Sequence, residues 1–433
     1  MKIQKLTLEG FRGFKDKTEF ELHPNVNVFV GVNGSGKTSV LDAVGMLLND
    51  FMLKILRGKP NGDTHLYLSE PDLNISSEKC KVEMSFKSSN STVYDIELGY
   101  DNAKNYPWGL EHTGKDWLKH FNTILESKNT SIPLIRYFKI NQLIPKLNED
   151  QTFIYWNEVS DERIKIYKTA FNLNTDFDTF SKWYIEEEND ENRVKVETKD
   201  LEYNNPKLAP VREAINLFFN KIDASSLSNL IGDVRGTNGK LSPLAIKKNG
   251  KKLNINQLSN GEKQVILYVA DIASRLSIAN PTLENTNEGE GVVLIDEIDA
   301  HLHPAWQRDI IPALTHVFPN VQFLVTTHSP QVLSNVKKEC VHIIENFKRV
   351  PLTPSTFGAD SNMILWDVFG VKKRPKHLQE RLSEYYRALE KKSKDEVLKI
   401  LEKIEEDYGS DRIDIKKARM DFEFEYDEYL PKT

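Results

Sequence analysis

The 433-residue sequence predicts an α/β fold with a mostly helical inserted lobe and a helical C-terminal extension. An apolar run, Val26–Val30, comes first, and Val292–Ile295 and Val321–Thr326 have the character of short strands covered on both faces of a parallel sheet. A glycine-rich turn, Gly31–Ser39, separates the first run from a helical pattern of Val40, Leu41, Val44, Leu47 and Leu48. Two stretches then leave the strand pattern. Aromatic and charged residues recur at helical spacing in 141–230, and the chain past Arg374 is helical and heavily charged. The expected organisation is a first α/β lobe at 1–140, a helical insert at 141–230, the rest of the α/β lobe at 231–345 and an extension at 346–433.

Ile3, Leu6, Leu8 and Phe11, followed by Phe20–Leu22, read as a hairpin turned around Gly13–Lys17. The helix after Lys37 should run to about Leu56, where Arg57-Gly58-Lys59-Pro60 stops it. Alternation at Lys81–Phe86 and Thr92–Leu98 flanks the polar turn Lys87–Ser91, and Leu134–Ile140 reads as a buried strand. Within the insert, Phe177–Glu188 and Val211–Ile222 have helical spacing, interrupted by the acidic Glu186–Asn192. Leu244–Lys248 and Lys251–Ile255 flank Asn249-Gly250, the pair that a type I′ turn prefers. No internal repeat is present.

Hydrophobic content of 39% and charged content of 28% describe an ordinary soluble chain. The formal charge of −6 provides no general attraction for nucleic acid, so such binding would need a local patch. Cys80 and Cys340 are the only cysteines, too few for a disulfide framework or a zinc site, which fits a reducing cytosol. The start MKIQKLTLEGF lacks the apolar segment of a signal peptide, and no apolar run approaches the ~20 residues needed to span a bilayer. A cytoplasmic protein without a membrane partner is expected.

GVNGSGKT fills the pattern G-x-x-x-x-G-K-[ST] with Gly31, Gly36, Lys37 and Thr38. Glycines let the backbone curl so that N–H groups converge on phosphate oxygens at the positive end of a helix. Gly31, Asn33, Gly34, Ser35, Gly36, Lys37, Thr38 and Ser39 are therefore candidate contacts to a nucleoside triphosphate, ATP. Lys37 supplies charge for the β- and γ-phosphates, and the Thr38 hydroxyl is a candidate Mg2+ ligand. Leu294-Ile295-Asp296-Glu297 ends an aliphatic strand with two carboxylates, where open α/β sheets place ligands. Asp296 is the second candidate Mg2+ ligand, and Glu297 the candidate base for the attacking water. His328, just past another strand, is a candidate γ-phosphate contact.

Leu258-Ser259-Asn260-Gly261-Glu262-Lys263-Gln264 opens a helix. Ser259 as N-cap with Glu262 three residues on forms a capping box, which explains the motif without a ligand. A serine, a glycine and bare N–H groups at a helix start also suit a second phosphate site formed by Ser259, Asn260, Gly261 and Glu262. One chain carries one Lys37 loop. The second site would thus serve a neighbouring copy's nucleotide, giving a homodimer or higher homo-oligomer with ATP between subunits.

In this order, GVNGSGKT, LSNGEKQ, VVLIDEIDAHLHP and TTHSP resemble the ABC-type ATPase heads of the RecF/SMC class. The opening LEGFRGFKD is similar too, and the resemblance makes Arg12 a nucleotide-pocket candidate. It further implies Asp299 as the D-loop residue that communicates across the dimer and Gln142 as a Q-loop metal contact. Heptads for a long coiled-coil arm are missing, so the build is RecF-like. His301 and His303 are not expected to hold a metal, because similar heads carry the same DxHLHP run without one.

Within the class, IDEIDAHLHPAWQ, Ser361–Leu365 with Val368-Phe369-Gly370, and the charged C-terminus are most similar to PtuA-type anti-phage ATPases of Septu and retron-associated systems. That resemblance implies a separately encoded HNH-type nuclease as partner, with DNA or a retron RNA–DNA and reverse transcriptase complex as further partners. After Glu345 there is no strand-ending glutamate followed by a D-x-D strand, the metal cluster that OLD-family nucleases append, so no nuclease activity is expected of this chain alone. The helices from about His377 to Glu425 are either a solvated cap or a docking face of Tyr385, Tyr386, Leu389, Leu398, Leu401 and Ile404. A RecF-like DNA-repair ATPase is the alternative, with Lys247, Lys248, Lys251 and Lys252 touching phosphates from a hairpin tip. A transporter's nucleotide-binding subunit is disfavoured by FRGF and the long insert.

Overall fold

The computed structural model describes residues 1–57, 68–109, 114–127, 129–139, 161–167, 170–171, 177–222, 227–232, 244–351, 355–371, 374–391 and 393–426. The chain divides into two compact units, Met1–Ile364 and Leu365–Thr433, with the division inside the short helix Ser361–Asp367.

In the first unit, β1 (Lys2–Glu9) and β2 (Thr18–Glu21) form the opening hairpin, and β3 (Val26–Val30) leads through the glycine-rich loop into α1 (Lys37–Arg57). Then come β4 (Lys79–Lys87), β5 (Val93–Asp101), β6 (Tyr106–Trp108), α2 (Lys115–Glu126) and β7 (Leu134–Phe138). The insert contributes α3 (Phe177–Thr198) and α4 (Leu208–Lys221), followed by β8 (Leu227–Gly232), β9 (Leu244–Lys248) and β10 (Lys251–Asn254). After these lie α5 (Asn260–Ala279), β11 (Gly291–Ile295), α6 (Pro304–Val317), β12 (Val321–Thr327), β13 (Val341–Glu345) and β14 (Lys348–Val350).

The strands form three sheets. The largest has the order β14-β13-β3-β12-β11-β7, parallel except for β14. β3, β11 and β12 are buried at every position and are mostly apolar, although β3 carries Asn27 and β12 carries Gln322, Thr326 and Thr327. An antiparallel sheet has the order β2-β1-β4-β5-β6. One core cluster joins Leu6 and Leu8 of β1, Val82 and Met84 of β4, Leu41, Val44 and Leu48 of α1, and Leu294 and Leu324 of the parallel sheet. The helix that starts at the glycine-rich loop is thus packed against both sheets, fixing the loop at its N-terminus.

The third sheet, β10-β9-β8, shows that the expected helical insert ends in a strand. A register shift between Ser228 and Ile231 breaks the period-two pattern that would have betrayed β8. The extension expected from residue 346 also begins later, because β14 pairs with β13 through Glu345↔Lys348 to Ile343↔Val350.

Among its described residues the second unit contains the helices α7 (Lys376–Leu389), α8 (Lys394–Tyr408) and α9 (Ile413–Tyr426). Leu378, Leu382, Tyr385, Val397, Leu401, Ile404, Ile415, Ala418 and Phe422 form its core. This corrects the docking-face alternative. Tyr385, Leu401 and Ile404 are interior, Leu389 and Leu398 pack against them, and Tyr386 donates its hydroxyl to Asp421 at 3.0 Å.

Beside β7, Asp271 of α5 lies between two guanidinium groups. It accepts from Arg136 Nε at 2.8 Å and from Arg275 Nε at 2.8 Å, and Arg136 is fully buried. Removing one partner of a buried charge network leaves the others uncompensated. Asp271→Ala should therefore cost about 3–5 kcal/mol. A lower urea midpoint at unchanged m-value would register this loss, whereas an unchanged midpoint would contradict it.

Candidate functional site

Four adjacent parallel strands point their C-terminal ends at one pocket of about 340 Å3. The loop after β3 supplies Asn33, Gly34, Gly36, Lys37, Thr38 and Ser39. Glu297 follows β11, Thr326 and His328 close β12, and Phe347 follows β13. Gly31 forms the base of the loop, where a Cβ would stand 2.2 Å from the Ile344 carbonyl oxygen, so no other residue fits there. Ser35 is buried beneath the loop, and its hydroxyl has no hydrogen-bond partner among the described residues.

Lys37 is buried and folds back on its own loop, donating from Nζ to the carbonyls of Gly31 at 3.0 Å and Val32 at 3.1 Å. Burial lowers its pKa against the opposing pull of Asp296, Glu297 and Asp299. An ammonium held only by backbone carbonyls, close to three carboxylates, is ready to exchange those weak partners for phosphate oxygens. Thr38 Oγ1 lies 3.2 Å from both carboxylate oxygens of Asp296. A hydroxyl and a carboxylate meeting at a helix N-terminus are the hard oxygen donors that a small divalent cation takes.

Thr326 organises the carboxylate end of the pocket. Its hydroxyl donates to Asp296 Oδ1 at 2.6 Å and accepts from the Glu297 N–H at 2.7 Å. Glu297 has φ +51°, a left-handed conformation that is costly for a side chain of this kind. The hydrogen bond from its N–H helps hold it there. Burial, with Asp296 and Asp299 as like charges, raises the Glu297 pKa from 4.5, as suits a general base. Burial and Lys37 lower the His328 pKa from 6.5, so its imidazole is neutral at neutral pH. Asp299 accepts from Thr327 Oγ1 at 2.5 Å and from the His328 N–H at 3.3 Å, tying the loop after β11 to the end of β12.

The signature turn, Leu258–Gln264, stands apart from this pocket. Ser259 Oγ accepts from the Glu262 N–H at 3.3 Å, and the Ser259 N–H donates to Glu262 Oε2 at 2.9 Å, closing the capping box. Glu262 also pairs with Lys248 at 2.6 Å, so one of the four hairpin-tip lysines is committed to the helix start. A Cβ on Gly261 would meet the His301 carbonyl oxygen at 2.4 Å, which seats the turn against the loop after β11. None of Ser259, Asn260, Gly261 and Glu262 lines the pocket of their own chain.

Arg12 is not among the pocket's lining residues either. It pairs with Asp42 at 2.6 Å and Asp72 at 3.2 Å, and Asp42 also accepts from Tyr137 at 2.9 Å and Lys139 at 2.6 Å. Gln142 lies outside the described residues. His303 caps α6 by accepting from the Ala305 N–H at 3.3 Å. Sequence reasoning missed Thr326 and Phe347. A threonine in a fully buried strand needs a partner, which was the available signal for the first.

Fold and site together define an ABC-type ATPase head. The chain belongs to the family described as "AAA domain, putative AbiEii toxin, Type IV TA system", which matches residues 26–334. It is an ATPase. Over 99% of its length it is 27% identical to the retron Ec83 probable ATPase of Escherichia coli, covering 89% of that protein. It is 27% identical to the retron Vc95 probable ATPase of Vibrio cholerae serotype O1 biovar El Tor, covering 84% of this chain and 78% of that one. The Septu protein PtuA of Bacillus thuringiensis is 25% identical over 76% of this chain and 72% of its own. Among solved structures, the Smc head bound to the C-winged helix domain of ScpA matches with 17% identity and a TM-score of 0.44, over 81% of this chain and 96% of that one. Among the described residues, no helix is long and apolar enough to cross a membrane.

Two outcomes follow from this geometry. Thr326→Val keeps the side-chain shape but removes both hydrogen bonds, and should lower kcat about 10- to 100-fold, with Thr326→Ser restoring most of it. Steady-state ATPase assays of both variants decide. Because its pKa is raised, Glu297 should lose its charge at a higher pH than an ordinary glutamate as the solution is acidified. The acid limb of the kcat profile should accordingly lie above pH 4.5, and a limb at or below that value would remove Glu297 as the base.

Proposed function

We propose that two copies of this ATPase close around ATP, the Lys37 loop of one copy and the Ser259 turn of the other meeting the same triphosphate. The closed dimer then acts as a switch that regulates a separately encoded HNH-type nuclease in anti-phage defence within the cytoplasm. One observation supports the dimer above all. The pocket gathers Lys37, Thr38, Glu297 and His328, yet takes no lining residue from the signature turn of the same chain. That turn presents a capped helix start with a glycine in its first turn, the arrangement that binds anions.

In the proposed reaction, Glu297 accepts a proton from the attacking water. Lys37 and His328 contact the γ-phosphate, and the loop N–H groups hold the remaining phosphate oxygens. Thr38 and Asp296 would hold Mg2+, which would supply positive charge to offset that of the phosphates. Asp299 accepts from the His328 N–H, and in this reading it communicates across the dimer. The defence role rests on the likeness to retron and Septu ATPases, and the nuclease partner on the same resemblance.

Glu297→Gln should bind ATP, hydrolyse it at least about 100-fold more slowly and accumulate as a dimer. Lys37→Ala should remain unassociated with ATP present. Light scattering of the purified variants under saturating Mg-ATP measures this directly. A Glu297→Gln chain that stays monomeric under those conditions would overturn the dimer. Failure of the trapped form to retain a co-expressed HNH nuclease from the same operon would remove the partner while leaving the ATPase intact.

A further inference from the structure

The reactive groups occupy one end of the pocket. Glu297 follows β11 and His328 follows β12, while the glycine-rich loop follows β3 and Phe347 follows β13, in that spatial order across the sheet. A triphosphate whose γ-phosphate meets Glu297 and His328 must run along the loop away from β11. Its nucleoside therefore emerges on the β13 side, where Phe347 lines the pocket. We propose that Phe347 is the base-stacking residue of this site, its ring taking one face of the nucleobase. The proposal rests on the assignment of the pocket to ATP and adds the subsite for its aromatic half.

The backbone at Phe347 supports a role for the ring. Asn346 and Phe347 have φ +48° and +59° in the two-residue turn between β13 and β14, the left-handed pair of a type I′ turn. The β9–β10 hairpin makes the same kind of turn with Asn249-Gly250, the preferred sequence. At the pocket the glycine is replaced by phenylalanine, which the left-handed region disfavours. Strain of this kind gathers at functional sites.

The surroundings make room for the ring and aim it. A Cβ on Gly13 would stand 2.0 Å from the Phe347 ring, and one on Gly36 would stand 2.8 Å from it. Phe14 and Phe347 form a T-shaped pair with ring centroids 5.7 Å apart, and Phe347 packs at the border of the core. The Phe347 N–H donates to the Ser35 carbonyl at 3.2 Å, so the turn is anchored to the phosphate loop itself. Phe347 is only partly buried, unlike Phe14.

A ring that merely props the loop would affect every phosphate ligand equally, whereas a stacking ring acts only on ligands that carry a base. Titration calorimetry of the full chain with Mg-ATP and with Mg-tripolyphosphate separates the two. The parent protein should bind ATP at least about tenfold more tightly than tripolyphosphate. Phe347→Leu should weaken ATP about tenfold and leave tripolyphosphate unchanged, and Phe347→Tyr should retain ATP affinity. Equal weakening of both ligands by Phe347→Leu, no weakening of either, or a parent that does not prefer ATP would overturn the proposal. A parent that binds neither ligand would bring down the ATP assignment itself, and the stacking role with it.

Discussion

The Asp296 carboxylate is where the site's separate pieces are joined. It accepts from Thr326 on β12 at 2.6 Å and lies 3.2 Å from the Thr38 hydroxyl at the start of α1. Thr326 in turn holds the backbone N–H of Glu297, so strand ends far apart in sequence share one polar junction. The junction is buried, where an unpaired carboxylate would be expensive, and the pairing therefore specifies the register of β11 against β12 as well as the site. The parallel register Ile295↔Val325 delivers Asp296 and Thr326 side by side without further adjustment.

Several non-glycine residues of the first unit have a left-handed backbone. Arg12, Glu297, His301, Asn346 and Phe347 all have φ between +48° and +60°, and none is glycine. Two of them, Glu297 and Phe347, line the pocket, and each has its N–H fixed by a neighbouring element. Arg12 has its N–H bonded to the Asp72 carbonyl at 2.7 Å as well. The fold thus supplies local hydrogen bonds at the positions where the chain departs from its easy conformations, which is how a site can hold strain without unfolding.

What could be read in the sequence follows the range of the forces involved. Strands buried on both faces are rich in apolar residues, so β3, β11 and β12 were visible as runs, and the capping box at Ser259 was visible because all its atoms lie within four residues. Asn249-Gly250 announced its hairpin for the same local reason. Contacts made by partners far along the chain were not visible. Thr326 owes its role to Asp296, thirty positions away, and Arg12 is engaged by Asp42 and Asp72. The charged C-terminal helices read correctly as helices. Whether Tyr385 and Leu401 faced inward or outward depended on α9, which supplies the third wall of their core. The strand β8 was hidden by its bulge, which removes the alternation on which such readings depend.

Glu262 connects the nucleotide and nucleic-acid readings of this chain. Its carboxylate caps the signature helix through Ser259 and also holds Lys248, at the end of the lysine-bearing β9–β10 hairpin. Together with backbone bonding of Lys248 to Leu227 and Lys251 in the three-stranded sheet, this makes the hairpin and the signature turn one mechanical piece. The capping hydrogen bonds and the Lys248 ion pair both hold the Glu262 pKa below 4.5 despite burial, so the carboxylate stays charged at neutral pH and both ties persist. In the proposed dimer, a phosphate arriving at Ser259 enters a turn whose Ser259 N–H and hydroxyl already donate to Glu262 Oε2. The phosphate must compete with that carboxylate for the same donors, and the repulsion between the two anions would be relayed to Lys248 and its hairpin. In such a dimer the partner's nucleotide would be sensed through displacement of an internal anion.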